Sequence, residues 1–212
     1  KLYMNIDIIP VTSFQQNCSL IWDDRKNAAI IDPGGEPKKL IEKIEENGLD
    51  LKMILLPHGH LDHIGAAPAL KAHFGVDIIG PHEDDVFWFE NLPQQSAQFG
   101  LFEANAFLPD MWLNRENEVL EVGSLKLEVL HLPGHTPGHV GFFEHQNIVA
   151  FTGDVLFRNS IGRTDFPGGS YDDLISSIKE KLFPLGDDWI IIPGHGPYTT
   201  IGAEKKTNPY LK

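Results

Sequence analysis

The sequence predicts a layered α/β fold, and three observations predict it. Apolar runs of strand length alternate with helical segments along the whole chain. They are joined by hairpin-like turns as well as by longer crossovers, which suits layered sheets and helices better than a purely doubly wound sheet. No repeat, low-complexity tract or linker-like change of composition interrupts the 212 residues. That length gives one sizeable domain a full core and is short for two, so residues 1–212 are expected to form a single domain.

Taken in order, strands are expected at about 2–9, 17–23 ("NCSLIWD") and 28–32 ("AAIID"), the last closed by Pro33-Gly34-Gly35. "EPKKLIEKIEENG" carries Leu40, Ile41 and Ile44 at helical spacing, with Gly48 as its C-cap. "MILLP" reads as a buried strand and "AAPALKAHFG" as a helix ended by Gly75. In residues 82–117, "EDDVFWFENL" looks helical and the aromatic-rich stretch to Trp112 reads as loop. Two hairpins follow, "EVLEVGSLKLEVLHL" and "HVGFFEHQNIVAFTGD". A helix near 171–182, a strand "DWIIIP" and a short helix near 199–206 complete the chain.

Charge narrows the function classes. Net charge is −13, from 17 basic and 30 acidic residues. Nucleic-acid binding gains affinity by neutralising phosphates with Lys and Arg, and this chain would repel them. "EKKT" at 204–207 is the densest basic cluster and reads as a solvated helix face. No stretch approaches the roughly 20 apolar residues of a membrane span, so no membrane partner is expected. The opening "KLYMNIDIIP" lacks a secretory pattern, a cytoplasmic location is expected, and Met4 is read as the native start after an added Lys1–Tyr3. The single cysteine, Cys18, cannot form an internal disulfide and reads as a buried inert thiol in "NCSLIW".

The chemistry concentrates at strand ends. "ILLPHGHLDHIGAAPAL" (54–70) gathers His58, His60, Asp62 and His63 where an apolar run stops. Three further runs end alike: "LEVLHLPGHTPGH" reaches His135, "IVAFTGD" reaches Asp154 and "DWIIIPGHG" reaches His195. Each is a strand, then Pro or Gly, then one metal-competent side chain, and strand ends are rigid platforms. Four such ends can converge at one sheet edge, although the ligands span more than 130 residues. Five imidazoles and two carboxylates without a thiolate make a nitrogen/oxygen site for first-row divalent ions. Seven ligands are too many for one tetrahedral ion and suit two ions sharing a carboxylate. In extended backbone His58 and His60 point to the same side, while Asp62 and His63 turn toward a second ion at a helix start, where the macrodipole favours the Asp.

The remaining histidines lack this context. His139 follows His135 by four residues, but Pro137 and Gly138 break any helix pairing them, and it reads as a supporting or structural residue. His73, His82, His131 and His145 read as surface or packing residues. Asp32, in "IIDPGG", either orients a ligand histidine or forms the turn.

"HGHLDH", "PGHTPGH", "FTGD" and "PGHG", in that order and across nearly the whole chain, resemble the signature of the metallo-β-lactamase fold superfamily. The resemblance implies an αββα sandwich of two mixed β-sheets flanked by helices, with a dinuclear site at one edge. Carried over motif by motif, His58, His60 and His135 would hold one ion and Asp62, His63 and His195 the other, with Asp154 bridging. Zinc is the first expectation, and iron or manganese suit the same donors. Within the superfamily, "SIGRTDFPGGSYDDLISSIKEKLFPLGDD" and "KKTNPYL" look like the small bacterial glyoxalase II-like hydrolases of the YcbL type. Their implied substrate is S-D-lactoylglutathione or a related glutathione thioester.

Two departures stand out. Pro57 occupies a position where the family commonly has Thr or Ser, removing a local hydrogen bond. Only 17 residues follow His195, so the helical C-terminal domain that supplies much of the glutathione site in larger glyoxalase II enzymes is not expected. Arg163 in "GRTDF" resembles the main-domain basic residue of that family; it either pairs with a glutathione carboxylate or forms an ion pair with a neighbouring Asp.

The expected reaction is attack of a metal-bridging hydroxide on the thioester carbonyl, with Asp62 and Asp154 as the catalytic carboxylates. A leaving thiolate with an ordinary pKa of about 8.5 needs no strong general acid. The alternative is a mononuclear-iron persulfide dioxygenase of the same fold, using His58, His135 and Asp154. "PGHGP" favours the hydrolase, because the dioxygenases tend to carry an Ala-His-Asp pattern there.

Overall fold

A computed structural model describes residues 3–212. Lys1 and Leu2, and with them part of the expected added start, lie outside the described residues.

The strands are β1 (Asn5–Val11), β2 (Gln16–Trp22), β3 (Asn27–Ile31), β4 (Asp50–Leu55), β5 (Asp77–Ile79), β6 (Glu118–Val122), β7 (Leu125–His131), β8 (Val140–Glu144), β9 (Val149–Gly153), β10 (Leu156–Phe157), β11 (Ser160–Ile161), β12 (Ile190–Pro193) and β13 (Thr199–Thr200). The helices are α1 (Pro37–Glu46), α2 (Leu61–Ile64), α3 (Ala67–Phe74), α4 (Val86–Glu90), α5 (Leu92–Phe99), α6 (Tyr171–Ser176) and α7 (Ile201–Thr207).

One sheet has the order β1-β2-β3-β4-β5, the other β13-β12-β9-β8-β7-β6. In the first, β1, β2 and β3 are antiparallel, whereas β3, β4 and β5 run parallel because helical crossovers connect them. In the second, β12 pairs parallel with β9, and β9, β8 and β7 alternate in direction. The C-terminal ends of β7, β9 and β12 therefore all leave the sheet at one edge. Both sheets are mixed, as expected.

Side-chain alternation along the strands separates three apolar layers. Ala28 and Ile30 of β3 face Leu40, Ile44, Leu70 and Phe89 of the helices on one outer side. Ala29 and Ile31 of the same strand face Val129, Phe142, Phe151 and Ile192 of the opposite sheet. Leu130, Phe143 and Ile191 of the second sheet turn outward onto Leu174, Ile178 and Ile201. The result is an αββα sandwich. Cys18 is fully buried in the first layer, and burial pushes its thiol well above the ordinary range, in keeping with an inert role.

Most expected elements are present. α1 ends at Asn47 with Gly48 next in the left-handed region, and Gly75 closes α3 as expected. The stretch after Leu92 departs from its loop reading over residues 93–99, which belong to α5 (Leu92–Phe99): Pro93 opens the helix and Gly100 ends it. The β10–β11 ribbon, two residues a side, carries too little pattern to be read from sequence. The helix near 171–182 begins as α6 and widens into a π-helical turn over Ser177–Leu182. At 204–207 Lys205 and Lys206 are solvated, but Glu204 is buried and accepts hydrogen bonds from Asn159 N–H and Asn208 Nδ2.

Candidate metal centre

Each expected donor sits at the end of a strand or in the turn after it. β4 runs out through Pro57 to His58; His60 precedes α2, and Asp62 and His63 lie in that short helix. β7 leads into the loop carrying His135, β9 ends one residue before Asp154, and β12 leads through Gly194 to His195. Gly194 is required by space: a Cβ there would stand 2.6 Å from both Asp154 Oδ1 and His63 Cε1. β12 can therefore bring His195 against the cluster only with glycine at this position.

The structure brings all seven residues together. Donor atoms within 4.8 Å of one another form three overlapping groups: His58, His60 and His135; His58, His63 and Asp154; and Asp62, His63 and His195. His60 Nδ1 and His135 Nε2 are 3.1 Å apart. Asp154 faces both sides, with Oδ2 3.1 Å from His63 Nε2 and 3.4 Å from His135 Nε2, and Oδ1 2.9 Å from His195 Nδ1. His195 Nε2 is 3.1 Å from Asp62 Oδ2.

Two observations fit this donor set to metal ions. His58 Nε2, which faces Asp154 Oδ2 at 3.8 Å, is buried without a hydrogen-bond partner in the protein, a costly state for an imidazole nitrogen unless a ligand uses its lone pair. The electrostatics point the same way. Burial, reinforced by neighbouring imidazoles, pushes His58 and His60 well below the ordinary histidine range, and burial lowers His135, so these rings are neutral. Burial would also lower His63 and His195. The carboxylates of Asp154 and Asp62, with Asp32 beside His63, outweigh it, holding His63 well above the ordinary range and His195 up at about 9. Positive charge is thus favoured around Asp62 and Asp154, which an ion or protons can supply.

The supporting residues were only partly legible. Asp32 accepts from His63 Nδ1–H at 2.7 Å, so it orients a histidine, and it does so from a turn residue with φ of 63°. His135 Nδ1–H donates to the backbone carbonyl of Arg163 at 2.8 Å. His139 stacks on His58 with ring centroids 4.6 Å apart and accepts from Asp154 N–H, which bears out its supporting role. Sequence reasoning missed Asn17, whose Nδ2 donates to Pro193 and Gly196 carbonyls and so holds the loop of His195. It also missed Asp85 and Gln95. Asp85 accepts from Gly59 N–H, Gly138 N–H and Thr136 Oγ1–H; Gln95 accepts from Leu61 N–H and donates to Gly59 and Trp88 carbonyls. A signal for these two existed. Asp85, Trp88, Phe89, Leu92, Gln95 and Ser96 recur at helical spacing and are all buried, so the two polar residues sit on an apolar face. Burial pushes Asp85 up to about 7 against its three hydrogen bonds.

His82, Asp84 and His131 also have donor atoms within 4.8 Å. The two rings stack at 4.5 Å and 11°, which sends their in-plane lone pairs along parallel lines, and His82 Nδ1 already accepts from Asp84 N–H. These histidines are packing residues. His73 and His145 form exposed pairs with Glu45 and Glu128.

A cavity of about 350 Å³ opens onto the cluster. Phe14, Phe99, Phe157 and Phe166 wall it, and His60, Asp62, His135, Asp154 and His195 form its floor. Arg163 lines its rim, with its guanidinium 4.3 Å over Phe166 and held bidentately by Asp165 at 2.8 and 2.9 Å.

Residues 11–195 match the sequence profile of the metallo-beta-lactamase superfamily. The chain belongs to this superfamily. It is 66% identical over 208 residues to hydroxyacylglutathione hydrolase GloC of Haemophilus influenzae, a match covering 98% of each chain. Among solved structures, it is similar to BLEG-1 B3 metallo-beta-lactamase (38% identity, TM-score 0.91, covering 98% of this chain and 99% of that one). It is also similar to TTHA1623 in a di-iron-bound form (36%, TM-score 0.87, 97% and 100%). The superfamily's His-x-His-x-Asp-His stretch is His58 to His63 here; His60 and Asp62 reach the floor of the cavity, and His58 and His63 are buried behind it. Among the described residues no helix is long and apolar enough to cross a membrane.

Proposed function

We propose that this superfamily member is a metal-dependent thioester hydrolase, a type II glyoxalase-like enzyme acting on S-D-lactoylglutathione or a related glutathione thioester. The observation that carries the reading is the paired donor set at the base of the cavity, with the unpartnered His58 Nε2 on one side and Asp154 reaching both. The 66% identity to a chain named hydroxyacylglutathione hydrolase supports the substrate class and leaves the dioxygenase alternative unfavoured.

His58, His60 and His135 would hold one divalent ion and Asp62, His63 and His195 a second, with Asp154 shared. Zinc is the proposed ion; iron fits the same donors, and a relative at 36% identity is known in a di-iron-bound form. Divalent ions supply Lewis acidity, acidifying water and polarising a carbonyl oxygen. The protein's own groups do the rest. Asp62 borders the cavity and has its Oδ2 on His195, so it is placed to orient a water and accept its proton. The phenylalanine walls keep bulk water from the thioester. Arg163 is the rim cation for a glutathione carboxylate, which would compete with Asp165 for the guanidinium. The thiolate leaves without a general acid, since its pKa of about 8.5 lies near neutrality. Residues 1–212 act in this reading as one domain, and a cytoplasmic setting suits a chain whose one cysteine is a free thiol.

The test is loss of thioester absorbance when metal-loaded protein meets S-D-lactoylglutathione, with Asp154→Ala as the control. Rapid loss absent in the control is expected. No loss, together with oxygen uptake on glutathione persulfide, would overturn the hydrolase reading in favour of the oxidoreductase.

A further inference from the structure

Asp85 is wholly buried and contacts none of the seven donors through a hydrogen bond, yet its partners lie beside them. Gly59, whose N–H donates to Oδ2 at 2.9 Å, stands between His58 and His60. Thr136, whose hydroxyl donates to the same oxygen at 2.8 Å, follows His135. Gly138, whose N–H donates to Oδ1 at 2.6 Å, precedes His139, the ring stacked on His58. All three partners are donors, so the geometry is built for the carboxylate anion, opposing the burial that pushes this carboxyl up to about 7. Space reinforces the arrangement: a Cβ on Gly138 would stand 2.6 Å from both Asp85 N and the His82 carbonyl. One carboxylate thus ties the turn after β4 to the loop after β7, two segments from different sheets. Nothing comparable reaches from Asp85 to Asp62, His63 or His195; His63 has Asp32, and the His195 loop has Asn17.

We propose that Asp85 is a positioning residue for one half of the centre only, the carboxylate that sets the two loops so that His58, His60 and His135 converge. This rests on the reading that those three residues hold an ion. Neither nitrogen of His58 has a hydrogen-bond partner that would fix its ring, and apart from the shared Asp154 no carboxylate orients that side as Asp32 orients His63. Precision there comes through the backbone. The ion held by Asp62, His63 and His195 is independent of Asp85.

The experiment is chelator competition on the metal-loaded full chain, following the affinity of each ion, with the cobalt-substituted absorption spectrum as a second readout. Asp85→Asn presents an amide nitrogen to donors and loses acceptor capacity; one ion should weaken tenfold or more while the other keeps its wild-type affinity. The half affected is assigned by combination. Asp85→Asn added to His60→Ala should change little further, and added to His195→Ala should leave no tightly held ion. Thr136→Val removes a single arm and should weaken the same ion several-fold, which keeps the claim testable should Asp85→Asn not fold. Unchanged affinities in Asp85→Asn, or equal weakening of both ions, would overturn the proposal. A wild-type chain that binds no divalent ion would overturn the metal reading itself.

Discussion

The two halves of the centre solve one problem differently. His58, His60 and His135 form a neutral, closed group whose rings are 0–4% exposed and whose support comes through backbone N–H groups. Asp62, His63 and His195 form a charged group, with the His195 side chain 31% exposed and a direct carboxylate–imidazole pair from Asp32 to His63. A neutral imidazole cluster has no Coulombic pull to organise it, so its geometry must be built in by rigid loops. The charged half draws its members together by attraction. Asp154 belongs to both, one oxygen on His195 and the other facing His63 and His135.

The contrast can be broken at two points and checked against a third outside it. Asp154→Ala removes the shared group and should produce the largest effect. Both ions are lost from the purified protein and turnover falls by more than about 100-fold; an Ala variant keeping one ion at wild-type affinity would show that the halves do not share it. Asp32→Asn should touch only the charged half. Chelator competition is expected to show one ion weakened about 10–100-fold, since the carboxylate that orients His63 is gone, with the other unchanged. The smallest effect is a control outside both halves. Asp23 accepts from Arg25 N–H, Asn27 N–H and Ser124 N–H, joining the β2–β3 turn to the β6–β7 turn. Asp23→Ala should cost about 1–3 kcal/mol by leaving those donors short of an acceptor, with metal content unaltered.

That control also has a pH signature. Burial would raise Asp23, but its hydrogen bonds from Ser124, Asn27 and Arg25 outweigh it and hold the carboxyl at about 2. Its folded value lies below the roughly 3.9 of an unfolded chain, so the stabilisation is complete above about pH 4 and fades as pH falls through 2. Denaturant unfolding of wild type and Asp23→Ala should therefore differ most at pH 6 and progressively less at pH 3 and below. A gap that widened on acidification would refute the assignment.

What the sequence revealed, and what it hid, follows the same division. His58, His60, Asp62, His63, His135, Asp154 and His195 were legible because they gather at the ends of four apolar runs, a pattern local enough to read along the chain. The αββα layering was legible through the motif resemblance. The partners of Asp85, Gln95 and Asn17 were not, although helical spacing marks Asp85 and Gln95 as polar residues on an apolar face, because each acts on backbone groups far away in sequence: Asp85 on Gly59 and Gly138, Gln95 on Leu61, Asn17 on Pro193 and Gly196. A hydrogen bond to a peptide group leaves no mark on its partner's residue type. Residues 93–99 of α5 are hard to read from sequence because Pro93 is a breaker inside a helix yet a favoured opener, and the aromatic residues around it suggest no period. For Arg163 the sequence offers two roles, and the bidentate pair with Asp165 is the one the structure contains.

The shared direction of β7, β9 and β12 has a kinetic consequence. Their C-terminal ends meet the end of β4, from the other sheet, only after the two sheets have docked through residues such as Ile31, Leu55, Phe142 and Phe151. The seven donors come from points more than 130 residues apart, so closing the cluster demands some of the longest-range contacts in the chain, the kind that form late in folding. A half-translated or half-folded chain therefore offers an ion nothing better than the local His58–His63 stretch. Under the proposed dinuclear reading, tight capture of both ions would be a checkpoint passed only by the completed fold, and bound ions would from then on hold the two sheets together.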